Sequence, residues 1–263
     1  MAISLLWWLT ILVYTLAGVG ALLDFRTEFN DQGSLGMKLD YNLARHSGLD
    51  TDQQTSDDDI RTLIVSTRLV FKGDVNTLSD GQLVQMGGDA FREKLVEFEK
   101  YGLKKTKQTS LVTLLAVGNE IYISTPMRGS LEFTYSMQDS PVVAQLMECA
   151  ILARRQGLVG RHRFGATCGE PMVAHQYFRI HQDQRTLQGL GARVVSVRVG
   201  GTKGIKVIDP CGTVVTEDNL WGCNLLAPGL GMRVLDVSTE PQPFDLFRDA
   251  GGLDWYDQVS LCT

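Results

Sequence analysis

Several things are scarce or missing in this chain of 263 residues. Proline (7), histidine (4) and cysteine (5) are few. An odd number of cysteines cannot all pair within one chain, so a disulfide framework does not account for Cys149, Cys168, Cys211, Cys223 and Cys262 together. No Asn-x-Ser/Thr tripeptide occurs, which excludes N-glycosylation. No internal repeat or low-complexity tract stands out, which argues against solenoid and fibrous classes. Basic charge is not in excess either. With 25 Lys and Arg against 30 Asp and Glu the net charge is -5, and bulk charge gives no sign of a nucleic-acid binder. The acidity is local: from Leu22 to Ile60 there are nine Asp or Glu against three Lys or Arg, leaving the remainder nearly neutral. What is present is an ordinary globular balance, 44% hydrophobic and 21% charged, so a folded domain is expected.

The opening stretch "MAISLLWWLTILVYTLAGVGALL" has no charged side chain and suits transfer out of water into a translocon or bilayer. Small residues at Gly18, Gly20 and Ala21 offer a cleavage site, so residues 1–21 are expected to be a signal peptide and the protein to be secreted. At roughly 20 residues the run also meets the length of a membrane span, and a signal anchor is the alternative. In either case the folded part lies on the non-cytosolic side. Residues 22–59 are polar, glycine-bearing and acidic, with too few spaced apolar residues to bury a face, and are expected to be a linker or pro-segment. The domain is then residues 60–263.

Within it, "IRTLIVSTRLVF" has the β-branched character of a strand. Ser79 is a candidate N-cap for a helix carrying Leu83, Met86, Ala90, Phe91, Leu95 and Phe98 at three- and four-residue steps, stopped at Gly102. Gly87 and Gly88 weaken that helix by about 1 kcal/mol each. Two β-rich runs flank Gly118-Asn119, which predicts a hairpin. A second helix starts at Ser140-Pro141 with Cys149 on its apolar stripe, where a cysteine acts as a small buried hydrophobe. A third runs from "TCGEP" to about His181, followed by strands at 192–199 and 205–208, a short helix near Cys223 and a last apolar run, "MRVLDV". The tail after Val237 offers a last helix and no clear strand. Helices alternating with strands predict an α/β fold around a mixed sheet.

The chemistry-bearing stretch is "GATCGEPMVAHQYF". A Cys-x-Glu at a helix start puts a thiol, favoured there as thiolate by the helix dipole, and a carboxylate about 200° further round the axis. Those are the parts a zinc hydrolase needs: a ligand, and beside the open position a carboxylate that moves protons without binding metal. Two further thiols come from "DPCG" and "WGC", which makes Cys168, Cys211 and Cys223 a three-thiolate set for Zn2+ with Glu170 as general acid and base. His175 and His181, on the motif helix, are too far along the axis to ligate and are expected to be packed or solvent-tipped. Arg161, His162 and Arg163, with Arg154 and Arg155, form a basic patch that is either a solvated helix end or a rim holding phosphate. Trp221 either stacks on a base or covers the metal loop.

"TCGEP" followed by "PCG" and "WGC" resembles the Cys/His-x-Glu and Pro-Cys…Cys halves of the cytidine deaminase-like superfamily, and the chain looks like its divergent members among secreted toxins and fungal proteins. The order of elements from about Ser79 to Val237 is also similar. The resemblance implies a three-layer α/β/α sandwich and a zinc-dependent deaminase acting on a nucleobase in a nucleoside, nucleotide or single-stranded nucleic acid. In that family the paired cysteines stand only a few residues apart. Here eleven residues separate Cys211 from Cys223, so the loop between them must fold back. A second reading is a catalytically silent secreted scaffold in which Cys211 and Cys223 form a disulfide and the protein acts by binding a partner.

Overall fold

The structure is a computed structural model, and it describes residues 28–46, 62–103, 105, 108–129, 139–200, 204–214 and 219–261. The expected signal segment 1–21 and the acidic run before Ile60 fall outside the described residues. Among those described, no helix is long and apolar enough to cross a membrane.

The fold is mixed α/β, built on a mostly antiparallel sheet. Strands β1 (Lys38–Leu39), β2 (Val65–Phe71), β3 (Val112–Val117), β4 (Glu120–Ser124), β6 (Arg193–Gly200) and β7 (Gly204–Ile208) lie in the order β1-β2-β4-β3-β6-β7. Two more join it: β10 (Leu253–Asp257) pairs β2, and β9 (Arg233–Val234) pairs β6. The antiparallel character follows from the connections, because β3–β4 and β6–β7 are sequential hairpin pairs, and a tight turn joins only antiparallel strands. At the first of these Gly118 takes φ 59°. Among the described strands of this sheet β9 alone runs parallel to its neighbour, returning beside β6 after a helix. Strand β5 (Val159–His162) pairs in parallel with β8 (Leu220–Trp221) as a separate ladder.

Five helices are described: α1 (Tyr41–His46), α2 (Asp80–Lys100), α3 (Pro141–Arg155), α4 (Gly169–Ile180) and α5 (Cys223–Leu230). Alternate residues of the central strands feed two cores. Leu114, Ala116, Ile121, Ile123, Val195 and Val197 pack with Leu83, Met86, Phe91 and Phe98 of α2. Leu115, Val117, Tyr122 and Val194 pack with residues of α3, α4 and α5. Helix α2 begins as expected, with Ser79 and Gln82 forming a reciprocal capping box. Its two glycines serve the packing: a Cβ at Gly87 would stand 2.8 Å from Val197 Cγ2 and 2.9 Å from Leu114 Cδ1, and one at Gly88 would stand 2.2 Å from Ile205 Cδ1.

Two expectations are corrected. Residues 35–44 are not linker. Leu35, Met37 and Leu39 alternate along an extended stretch and are buried, and Tyr41, Leu43 and Ala44 follow them into the cores. Their backbone is held by α2: Leu35 N and Met37 N donate to the Glu93 carboxylate at 2.9 and 3.3 Å, and Leu39 N donates to Glu97 Oε1 at 2.9 Å. The tail, in turn, holds only a 3-10 turn at Asp249–Gly251, followed by strand β10 on the edge of β2. Trp255 and Tyr256 of that strand are more than a third exposed, so it carries little of the apolar signal that marks a strand in sequence.

Candidate metal centre

Four chain segments meet at one point. Cys168 is the N-cap of α4, with no side-chain capping bond to divert its thiol. Gly169 follows because nothing larger fits: a Cβ there would stand 2.0 Å from Thr113 Oγ1 and 2.5 Å from Thr113 Cβ, on a central strand. Glu170 comes next, with Pro171 still inside the first turn, where its missing N–H costs nothing. Cys211 lies beyond β7, and Cys223 opens α5. The eleven-residue excursion between them does fold back, and two glycines let its ends touch. A Cβ at Gly222 would stand 2.2 Å from Cys211 O, and Gly212, at φ 87°, lies with its Cβ position 2.6 Å from Gly222 N. Asn224 N donates to Cys211 O at 3.0 Å, and Cys223 N donates to Cys211 Sγ at 3.2 Å.

The fourth segment is β5. Its pairing with β8 sets His162 opposite Trp221, with Arg163 N donating to Trp221 O at 2.8 Å. His162 is thereby buried, its Nε2 3.4 Å from Cys223 Sγ and 3.7 Å from Cys211 Sγ. Its other ring nitrogen, Nδ1, accepts from Phe164 N at 3.2 Å and Ala166 N at 3.1 Å. Cys168 Sγ is 3.4 Å from Cys211 Sγ. One ligand atom from each of His162, Cys168, Cys211 and Cys223 lies within 4.8 Å of all the others. Ligands about 2.3 Å from one tetrahedral metal stand about 3.8 Å apart, so this donor set fits a metal ion. The described cysteines are unbridged, and the disulfide expected on the second reading is not formed between Cys211 and Cys223.

The electrostatics follow from three thiols sharing one buried site. Cys211 is held far below the usual thiol range by the thiols of Cys168 and Cys223, with His162 adding to the effect. Cys168 is raised by its contact with Cys211, and Cys223 is raised by burial and by both neighbouring thiols. The three thiols therefore titrate as one group, and a bound cation would favour their deprotonated forms. Two helix N-termini, of α4 and α5, face that group. Glu170 is buried beside the cluster and is pushed up chiefly by that burial. Its Oε1 accepts from Ser196 Oγ at 3.1 Å, and Ser196 Oγ is 2.6 Å from Thr113 Oγ1.

A cleft of about 550 Å3 opens onto Cys168, Glu170, Ser196 and Cys211. Cys223 and His162 are not part of its wall. Of the expected rim, Arg163 lines the cleft, whereas Arg161 is exposed outside it. His162 is not rim at all: the β5–β8 ladder draws it inward against the thiols. Trp221 is buried, packed edge-on against His162 with ring centroids 5.1 Å apart, and so covers the metal loop and offers no face to a base. The sequence reading missed Arg128 and Arg198, which line the cleft with Arg163 and the half-exposed Phe164. A signal for Arg198 was present, since Ser196 and Arg198 break the apolar run of β6 at a two-residue step. His175 and His181 do lie apart from the cluster, on Ser140 Oγ at 2.9 Å and Glu120 Oε2 at 2.5 Å. Cys149 is a fully buried core residue, and Cys262 is outside the described residues. Comparison of the chain with protein-family models, with curated proteins and with solved structures finds no match.

Proposed function

We propose that the protein is a zinc-dependent hydrolytic deaminase acting on a nucleobase, exported from the cell in which it is made. The observation that carries this reading is the place of Glu170: a buried carboxylate in the cleft wall, next to three converging thiols and outside the ligand cluster. Supporting it is the order of elements: helix α2 and the β3–β4 hairpin, then, after α3 and β5, the Cys-x-Glu helix α4 and strand β6. After the added strand β7 come Cys211, the Cys223 helix α5 and the parallel strand β9, an order that with those insertions is similar to that of the superfamily the motif resembles. The three-layer arrangement of that superfamily is part of the proposal.

Cys168, Cys211 and Cys223 would hold the metal. Zinc, when bound, supplies the Lewis acidity that brings a coordinated water towards a pKa near 7. Glu170 takes a proton as the water oxygen bonds to the amine-bearing ring carbon, and returns it to the departing nitrogen. One water enters, one C–N bond breaks, and ammonia leaves. Ser196, itself braced by Thr113, holds Glu170 Oε1 in place. Arg128, Arg163 and Arg198 suit the phosphate of a nucleotide or of a single strand.

The rival is a closed, structural metal site with His162 as fourth ligand, favoured by the 3.4 Å approach of its Nε2 to Cys223 Sγ. Elemental analysis of the full chain beside its Glu170→Ala variant tests the proposal. About one zinc per chain in both, with ammonia release from nucleoside or oligonucleotide substrates only in the unaltered chain, is the expected result. Zinc lost together with activity in the variant removes Glu170 from its role, and a chain that carries no zinc ends the proposal.

A further inference from the structure

We infer that His162 is a hydrogen-bond donor to the metal-binding thiolates and not a metal ligand, so that three thiolates hold the ion and its fourth position is left to a ligand from the cleft. The inference rests on the reading of the cluster as a metal site, and it decides between the two forms of that site described above.

A neutral imidazole has one N–H and one lone pair, and a nitrogen that binds metal must present the lone pair. Metal-binding histidines therefore donate from the other nitrogen, to a carbonyl or a carboxylate. His162 has the opposite surroundings. Its Nδ1 faces two backbone N–H groups, from Phe164 and Ala166, at 3.2 and 3.1 Å. Both contacts require the lone pair on Nδ1, which puts the proton on Nε2. The turn that delivers the second N–H carries its strain at Ala166, a non-glycine residue at φ 60°, next to Gly165, which takes φ 57° freely.

Nε2–H then points between Cys223 Sγ and Cys211 Sγ, at 3.4 and 3.7 Å. Trp221 packs edge-on against the ring and fixes its plane. Cys211 Sγ thus faces two donors, His162 Nε2–H and the Cys223 backbone N–H at 3.2 Å. His162 is in these terms a positioning residue: it orients two sulfurs and draws off part of their charge without touching the reacting atoms.

Zinc X-ray absorption on the full chain reads the difference directly. The expected spectrum has three sulfur neighbours and one oxygen, without the outer-shell scattering of an imidazole. Imidazole scattering that disappears in His162→Gln overturns the inference while leaving a metal site in place. A chain that takes up no zinc overturns the proposed function along with it. Long-range 1H–15N correlation of the zinc-loaded chain gives an independent reading, with the His162 proton expected on Nε2; a proton on Nδ1 contradicts the assignment. Competition with a chelator completes the set. His162→Gln, which retains an N–H donor, should hold zinc nearly as well as the unaltered chain, whereas His162→Leu should bind it roughly 10- to 100-fold more weakly, the range for loss of an outer-shell partner. Failure of His162→Gln to retain zinc would also count against the donor role.

Discussion

A methyl group added at position 169 has nowhere to go, because the atoms it meets belong to Thr113 at the middle of the sheet. Gly169→Ala should therefore lift the start of α4 off β3, costing about 1 to 3 kcal/mol as overpacking does, and should weaken metal uptake because Cys168 and Glu170 move with it. Gly200→Ala, where a Cβ meets nothing within 4 Å, is the control and should unfold within about 0.5 kcal/mol of the unaltered chain. Denaturant titration and a zinc titration of the two variants read both effects. A second residue sets a pH limit. Burial, aided by the nearby Arg179 guanidinium, lowers the His175 imidazole from its usual 6.5 to about 4. Between those values the unfolded chain binds the proton and the folded chain does not. Stability is therefore full above about pH 6.5 and falls as the pH drops towards 4, by about 3 kcal/mol at 1.36 kcal/mol per unit. Urea midpoints measured at pH 7.5 and pH 4.5 should show the decline, and His175→Gln should flatten it. At this scale the sequence was readable where residue type is rare and chemically committed, as with Cys168, Cys211 and Cys223, and Glu170 stood out only by its two-residue step from Cys168. It was not readable at His162, whose position depends on a pairing between β5 and β8, segments nearly sixty residues apart in the chain.

Local rules located the elements that carry their own signals. Ser79 announced α2, Ser140-Pro141 announced α3, and Gly118-Asn119 announced the hairpin of β3 and β4. They failed where the stabilising partner is remote. Leu35, Met37 and Leu39 show a two-residue alternation, but it is short and sits in acidic, glycine-bearing sequence. What makes it structure is the pair of α2 carboxylates that collect its N–H groups. Glu93 accepts from Leu35 N, Met37 N and Ser34 Oγ, so Glu93→Ala should cost about 2 to 3 kcal/mol, the scale of charge-assisted hydrogen bonds left unmade. Hydrogen exchange should find the amides of residues 35–39 exposed faster in that variant while those of β3 and β4 keep their protection. Equal loss across the sheet would mean that the arm is no separate unit.

For the molecule as a whole, the boundary read from sequence at Ile60 cuts through the fold. Leu35, Met37, Leu39 and Leu43 are all at most 5% exposed, and burying each contributes about 1.5 to 3 kcal/mol. Together that is comparable to the entire stability of a typical domain, about 5 to 15 kcal/mol. A chain beginning at residue 60 should accordingly lack a cooperative thermal transition, while one beginning at residue 28 should keep it; calorimetry of the two fragments settles the point. The same edge of β2 that receives β1 also receives β10, and the seam is fastened by Asp40, whose carboxylate accepts from Ser260 Oγ and Leu261 N, and by Gln258 Nε2 donating to Lys38 O. Residues near 40 thus wait for partners made more than two hundred positions later. A ribosome that has not yet released residues 253–261 therefore holds a chain whose outer seam is still open.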